Sequence, residues 1–338
     1  MKGYFAPDTQ LRKDKGYDIL GYMYTHNPIV FSSINYVTAS LFSLRRDKHF
    51  EMVCSKPEWR QFFSELLIAY NPPKGLYGQA YDLANFLEGV LQSLLVFGKA
   101  FYKIDYAQEE CSQTGTRWTI QRIRWLAVET MNAISGDGRI KGFVQQYSDR
   151  CVDKNLRGAR VEFAPDEVFF VEWVFDGDKN LGISPLMSLI PHHKKMKWFL
   201  ELIEQQVYAM SHPQDRSYRI ERARYTSWDK AKRVNETSQI KIRAALGTVL
   251  DAPMSQYYET YQLTKSRKRT ALIREYLVNE FNAQAVNALS KRNSLIEPAR
   301  IELVGYMSAS EIEDLFRKFQ NGQASQDEVL NTLKNDMI

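Results

Sequence analysis

The sequence has 338 residues, of which 44% are hydrophobic and 25% are charged, and its formal net charge is +5. These proportions are typical of a folded globular protein, and the length allows two or more structural units. The most apolar stretch, residues 90–97, is much shorter than a membrane span and is interrupted by Gln92 and Ser93. We therefore expect a protein that folds around its own core and does not span a membrane.

Neither the N-terminal segment nor the cysteines indicate export. The first 18 residues have no apolar core between their charges, which predicts neither a signal peptide nor a membrane anchor. Cys54, Cys111 and Cys151 are far apart, odd in number and not arranged as a Cys-x-x-Cys pair. This pattern argues against a disulfide framework and against a zinc site, and it fits a reducing cytoplasm.

The first quarter of the chain is predicted to be helical. In residues 28–44 the apolar side chains follow the three-and-four spacing of one helix face, with Asn27 as the natural N-cap and Pro28 in the first turn. Two further helices are predicted over residues 57–70 and 83–97, and the second has a continuous apolar stripe that stops at Gly98.

After Gly98 the apolar pattern changes to a period of two, which is typical of a half-buried strand. Four more stretches are rich in β-branched and aromatic residues: residues 118–128, 139–147, 159–163 and 168–174. Residues 135–138 (Ser-Gly-Asp-Gly) predict a tight turn between two of these strands. The middle of the chain is therefore expected to be a small antiparallel sheet.

The second half is predicted to be mainly helical. A long helix is expected over residues 186–211, followed by a strand over residues 217–225 and a helix over residues 228–246 that Ser227 opens. Another long helix is expected over residues 263–291, with an apolar side at positions 272, 273, 277, 281, 285, 286 and 289.

The last part of the chain combines one extended piece with two short helices. The extended piece covers residues 299–306, and each short helix begins with a capping box, Ser308 with Glu311 and Ser325 with Glu328. The sequence as a whole predicts a helix-rich α+β fold.

One acidic cluster imitates the start of a calcium-binding loop. Asp176, Asp178 and Asn180 have the right spacing, but Leu181 replaces the required glycine and Met187 stands where the bidentate glutamate should be. A turn is the better interpretation of this segment.

The other candidate sites fail on spacing. Gly98-Lys99 follows a helix and lacks the upstream glycine of a phosphate-binding loop, and the glycines between residues 136 and 142 are misplaced for a dinucleotide loop. His192 and His193 are adjacent, so on a helix they diverge by about 100° and are expected to be a surface pair. We predict no enzyme activity, cofactor or metal, although a triad of distant residues cannot be recognised from sequence.

Positive charge is concentrated in residues 213–243, which contain nine Lys or Arg residues and only four Asp or Glu residues. Such a block is typical of a solvated surface that meets nucleic acid or an acidic partner. The candidate residues of this basic surface are Arg216, Arg219, Arg222, Arg224, Lys230, Lys232 and Arg233.

A second basic cluster lies near the start of the helix predicted over residues 263–291. It consists of Lys265, Arg267, Lys268, Arg269 and Arg274. Cations at a helix N-terminus oppose the helix macrodipole, so helix propensity alone does not account for them. They form either a solvated helix end or a contact with phosphates or with an acidic neighbour.

Five short motifs follow one another along the chain. Residues 27–30 are Asn-Pro-Ile-Val at the start of a helix, and residues 96–102 are Val-Phe-Gly-Lys-Ala-Phe-Tyr between a helix and a strand. Residues 163–169 are Phe-Ala-Pro-Asp-Glu-Val-Phe before a strand, and residues 182–186 are Gly-Ile-Ser-Pro-Leu before a long helix. Residues 322–328 hold a Gly-x-x-Ser-x-x-Glu turn. In this order they resemble the tailed-bacteriophage portal family, in its HK97-like branch.

The resemblance is incomplete. Gly-Lys-Ala stands where Gly-Asn-Ala is commoner in the family, and residues 213–263 have no match. The Val-Pro-Pro element that often follows the clip is also missing.

The resemblance implies a function in the virion, with assembly in the host cytoplasm. Subunits of this family form a ring, usually a dodecamer, at one capsid vertex, and double-stranded DNA passes through the ring during packaging and ejection. The partners implied are further copies of the chain, double-stranded DNA, the major capsid protein, the terminase large subunit and a head-completion or adaptor protein. Neither a cofactor nor a membrane is implied.

The family's regions can be carried over to this chain. They give an N-terminal arm (residues 1–16), an α/β wing (17–185), a stem helix (186–212), a clip (213–255), a returning stem or tunnel helix (256–293), and a wing strand with crown helices (294–338). The basic block then belongs to the clip, and the second basic cluster to the DNA channel or to a subunit interface.

DNA must slide through such a channel without being gripped. Each phosphate contact releases about 0.9 counterions, so many fixed basic contacts around a ring would bind too tightly. We therefore expect at most one or two basic rings in the channel. A head-tail connector or another virion structural protein is the alternative, and an enzyme acting on nucleic acid would need clustered carboxylates for metal ions.

Overall fold

The computed structural model describes residues 9–42, 49–55, 60, 83–111, 115–137, 139–175, 182–197, 228–246, 256–295 and 297–335. The predicted helix over residues 57–70, the calcium-like turn and the predicted strand over residues 217–225 lie outside this part of the chain, apart from Arg60. None of the helices that it includes has the length and apolar character needed to cross a membrane.

Four helices form the N-terminal layer, and they are α1 (Thr9–Asp14), α2 (Tyr17–His26), α3 (Pro28–Ala39) and α4 (Leu83–Phe97). The start of α3 is as predicted, because Asn27 Oδ1 accepts hydrogen bonds from the backbone N–H groups of Ile29 and Val30 at 3.1 and 3.2 Å. The helix ends at Ala39, five residues before the predicted end.

In the described part of the chain, eight strands form three antiparallel sheets, whereas a single sheet was predicted. They are β1 (Phe50–Val53), β2 (Lys99–Cys111), β3 (Gly115–Leu126), β4 (Met131–Gly136), β5 (Arg139–Gln146), β6 (Arg160–Phe163), β7 (Val168–Glu172) and β8 (Arg300–Leu303). The strand orders are β3-β2-β7, β4-β5-β6 and β1-β8. The predicted turn at residues 135–138 joins β5 to β4, a strand that the sequence analysis missed.

The described residues of the second half are mainly helical, as predicted. A 3₁₀ turn (Pro185–Leu189) replaces the regular first turn of the predicted long helix and leads into helical residues 190–197. The later helices are α5 (Trp228–Leu246), α6 (Gln256–Phe281), α7 (Asn287–Arg292), α8 (Ala309–Gln320) and α9 (Gln326–Asn335). Helix α6 begins seven residues before the predicted residue 263.

A π-helical segment, Asn282–Val286, joins α6 to α7 and interrupts the single helix that was predicted. The two short C-terminal helices are capped as expected: Ser308 Oγ accepts from Glu311 N at 3.2 Å, and Ser325 Oγ accepts from Glu328 N at 3.2 Å. Glu311 also accepts from Ser308 N at 2.8 Å, which completes its capping box.

The main core lies between the helices and the sheet β3-β2-β7. Helix α4 contributes its whole apolar stripe, and the Phe86 ring contacts the rings of Tyr102, Phe169 and Phe281 at centroid distances of 5.0, 5.6 and 5.8 Å. A second, smaller core joins α6 to α8 and α9. On α6, Leu272 is exposed although the periodicity placed it on the apolar side, and its neighbour Ile273 is buried.

Candidate functional site

Two of the sequence motifs meet at the C-terminal end of α4. Gly98 has φ +78°, and a Cβ atom there would lie 2.4 Å from Ser184 N and 2.5 Å from Gly182 O. Ser184 Oγ donates a hydrogen bond to Leu95 O at 2.9 Å and accepts one from Leu186 N at 3.0 Å. Only glycine fits at position 98, because both the backbone conformation and the space exclude a side chain.

The same junction is tied to the sheet. Trp173 N donates to Gly98 O at 2.8 Å, and Gly182 N donates to Trp173 O at 2.9 Å. Lys99 and Glu172 form an ion pair of 2.9 Å beside it, and the Tyr276 hydroxyl of α6 donates to Glu172 O at 2.9 Å. The start of the helical segment at residue 185 is therefore fixed to α4, to β7 and to α6.

The Asn27 motif meets the same helical segment further along, at His193 and Met196. While its Oδ1 caps α3, Asn27 Nδ2 lies 3.2 Å from His193 Nδ1 and 3.7 Å from Met196 Sδ. The Tyr22 ring contacts the His193 ring edge to face at 5.9 Å. His193 is thus buried and is not one of a surface pair, contrary to the prediction.

Burial lowers the pKa of His193 below its ordinary value, and the nearby charges of Lys197 and His26 lower the pKa further. A neutral imidazole can accept the Asn27 N–H at Nδ1. Protonation of the imidazole would remove the acceptor at Nδ1, and it would also bury a cation away from water.

The second basic cluster divides between two faces of α6. Arg267 and Arg274 are buried. Arg274 Nε donates to Leu41 O at 2.8 Å, and its guanidinium lies 3.9 Å from the centroid of the Tyr306 ring. These two arginines therefore lie against the body of the subunit in this conformation.

The other three members of the cluster lie nearer to the surface. Lys265 is exposed, and Lys268 Nζ contacts Glu313 Oε2 of α8 at 2.5 Å. Arg269 Nη1 donates to Ala245 O of α5 at 3.3 Å. Five basic residues that are close in sequence thus have at least three different environments.

The first basic block is described only in part. Lys232 and Arg233 are exposed on α5. Arg216, Arg219, Arg222 and Arg224 lie outside the described residues, as does the side chain of Lys230.

The sequence analysis missed a set of amide side chains on the C-terminal helices. Gln284 bonds the N–H and C=O of Phe170 at 2.8 and 2.7 Å, and Asn282 bonds those of Ile301 at 2.7 and 2.8 Å. Asn293 bonds Trp118 N and O in the same way, at 2.8 and 3.0 Å. A side-chain amide offers both a donor and an acceptor, as a strand backbone does, so these residues complete the edges of β7, β8 and β3.

Within the part of the chain described, no group of three His, Cys, Asp or Glu residues could hold a metal ion. Cys54 is half-buried and Cys151 is buried.

The chain matches no protein-family model and no curated protein sequence. Solved structures do resemble it. A chain in the virion of a native gene transfer agent particle has a TM-score of 0.50 at 12% identity, over 91% of this chain and 89% of that one. A chain in the neck of an empty gene transfer agent particle, computed with C6 symmetry, has a TM-score of 0.51 at 12% identity, over 91% and 90%.

An HK97-family phage portal protein from Corynebacterium diphtheriae is also similar, with a TM-score of 0.45 at 11% identity over 92% of this chain and 98% of that one, too low to support a conclusion alone. At such identities a likeness shows the fold. The chain therefore shares its fold with chains of gene transfer agent particles, and the prediction of a helix-rich α+β fold is confirmed.

Proposed function

We propose that this chain is the subunit of a phage-type portal, a ring at one capsid vertex through which double-stranded DNA enters and leaves. The observation that carries the proposal is the shared fold with chains of gene transfer agent particles, which extends over about nine-tenths of both chains. One of those chains comes from a particle neck computed with C6 symmetry, which favours a ring. The ordered sequence motifs support the same assignment.

The contacts of α6 agree with a channel through which DNA slides. If all five basic residues pointed into the channel, a ring of them would bind phosphates tightly. Instead Arg267 and Arg274 are buried, Lys268 is paired with Glu313, and Lys265 is exposed. The role of Lys265, Lys268 and Arg269 at the channel or at an interface remains part of the proposal.

The proposal includes the family's regions with the boundaries given above, from the N-terminal arm and wing to the stem, clip, tunnel helix and crown. Its partners are the major capsid protein, the terminase large subunit and a head-completion or adaptor protein, besides other copies of the chain and DNA. The exposed Lys232 and Arg233 on α5 would belong to the basic clip surface.

Mass photometry and negative-stain imaging of the full-length protein test this function. A dodecamer of the 39.4 kDa chain would be a closed ring of about 470 kDa with a central hole. A stable monomer with metal-dependent nuclease activity would overturn the proposal. A head-tail connector could also form a ring, so binding of the terminase large subunit to the purified ring separates the two functions.

A further inference from the structure

One face of α6 remains exposed, and it is largely aromatic. Tyr258, Tyr261 and Leu272 are 45%, 38% and 40% exposed, and Lys265 lies among them. Their spacing of three, four and seven residues places them on one side of the helix. The buried Arg267 is on the opposite side.

Two half-buried rings of α8 continue this row of aromatic residues. The Tyr258 and Tyr261 centroids are 6.3 Å apart, the Tyr261 and Phe316 centroids 5.9 Å, and the Phe316 and Phe319 centroids 6.1 Å. Four rings from two helices therefore form a continuous row, which with Leu272 we call the aromatic stripe. Exposed apolar surface of this kind marks an interaction site.

The chemistry of the stripe favours a protein partner. Duplex DNA presents phosphates, which basic side chains bind, but of the five basic residues of α6 only Lys265 is among the exposed residues of the stripe. Tyrosine and phenylalanine are enriched at protein interfaces, whereas lysine is depleted.

The chain also carries a complementary face. On α5 the exposed residues Arg233, Glu236 and Ile240 share one side of the helix, and Ile240 is 50% exposed. The stripe is flanked by a cation, Lys265, and an exposed carboxylate, Asp314 of α8. Each face therefore has an apolar centre with one positive and one negative neighbour. Lys265 of one copy could then pair with Glu236 of another, and Asp314 with Arg233.

Helices α5 and α6 are in contact within one chain, because Arg269 Nη1 of α6 donates to Ala245 O of α5 at 3.3 Å. Copies related by rotation about an axis meet through two different faces at the same height. We propose that the aromatic stripe is a contact between subunits, and that it binds the α5 face around Ile240 of a second copy. This inference rests on the proposed ring.

The first test removes the apolar part of the stripe in the full-length protein. The variant is Tyr258→Ser/Tyr261→Ser, and the control is Val152→Ser, which alters a side chain that is 64% exposed and outside the stripe. Mass photometry over a dilution series gives the concentration at which rings dissociate, and circular dichroism verifies folding. We expect this concentration to rise at least tenfold for the stripe variant and to stay unchanged for the control.

The second test reverses charges. Lys265→Glu alone should raise the dissociation concentration, and adding Glu236→Lys should restore it towards that of the wild type. A double variant no better than Lys265→Glu overturns the pairing with the α5 face.

The remaining outcomes are distinct. A stripe variant that holds its ring like the wild type but binds less duplex DNA overturns the subunit contact and assigns the stripe to nucleic acid. Unchanged ring stability with unchanged DNA binding overturns the inference alone. A wild-type protein that forms no ring at any concentration overturns both the inference and the proposed function.

Discussion

Gln284 of the π-helical segment hydrogen-bonds both backbone groups of Phe170, accepting from its N–H at 2.8 Å and donating to its C=O at 2.7 Å. Phe170 lies in β7, the last strand of its sheet, so the glutamine stands where a further strand would otherwise pair. Glu280 accepts a third bond from the same amide at 2.6 Å and holds it in place. Gln284 lies within the π-helical segment, so this segment sets the direction in which its side chain points towards β7.

Replacing Gln284 with alanine should lower the free energy of unfolding by about 2 kcal/mol, because two half-buried backbone groups lose their partner. Gln284→Glu should be at least as destabilising at neutral pH, since a carboxylate cannot donate to Phe170 C=O and would face the Glu280 carboxylate in place of an N–H donor. Urea denaturation measures both changes. Gln320→Ala, at an exposed helical glutamine, is the control, and equal midpoints for Gln284→Ala and Gln320→Ala would contradict the role of this side chain.

Gly98 and Gly322 have similar positive φ angles, 78° and 70°, but different surroundings. A Cβ atom at Gly98 would collide with Ser184 N, whereas at Gly322 nothing lies within 4 Å. Gly322→Ala should lower the free energy of unfolding by about 1 kcal/mol, from backbone strain alone. Gly98→Ala should lower it by about 4 kcal/mol or more, because the new side chain also collides with its neighbours. Thermal melts and soluble yields compare the two, and similar costs would mean that the junction has room for a side chain.

Arg274 and Lys265 belong to the same basic cluster but should respond differently to substitution. Arg274→Ala removes a buried charged hydrogen bond to Leu41 O and a cation–π contact with Tyr306, and should destabilise the protein by about 3 kcal/mol. Lys265→Ala should change stability by less than about 0.5 kcal/mol. Chemical denaturation at concentrations where the protein is monomeric separates this effect from assembly.

His193 should make stability depend on pH. Its pKa is lowered in the folded state, so the unfolded chain binds more protons and stability falls as the pH drops below about 6.5. The loss of unfolding free energy between pH 7.5 and pH 5.5 should be smaller in His193→Gln, which keeps an acceptor for Asn27. His26→Gln removes only a nearby charge that lowers the pKa of His193, so it should alter the pH dependence less than His193→Gln does. An unchanged pH dependence in His193→Gln would contradict the assignment.

The sequence allowed the local features of the fold to be predicted. Asn27 and Ser308 cap their helices as predicted, and the apolar stripe of α4 is buried along its length. These features depend on neighbouring residues, so they can be recognised in a short window. Strand β4 was missed because its residues after Met131 are mostly exposed and small or polar, which gives no alternation.

The candidate site was harder to predict, because its features depend on distant segments. Nothing in the local sequence indicates that Gly98 packs on Ser184, or that Gln284 reaches Phe170. For the basic cluster, helical spacing could have indicated which of its residues are buried. Arg267 and Arg274 share a helical face with Ala271, which is buried, whereas Lys265 is on the other side.

The junction at Gly98 has a consequence for the order of folding. The hydrogen bond from Ser184 Oγ to Leu95 O joins residues 89 positions apart, and the six strands β2 to β7 lie between them in the sequence. During synthesis α4 and β2 emerge long before residue 184, so the end of α4 stays uncovered until the intervening strands have been made. Closure of this contact, and with it the anchoring of the helical segment from residue 185, must therefore come late in the folding of the chain.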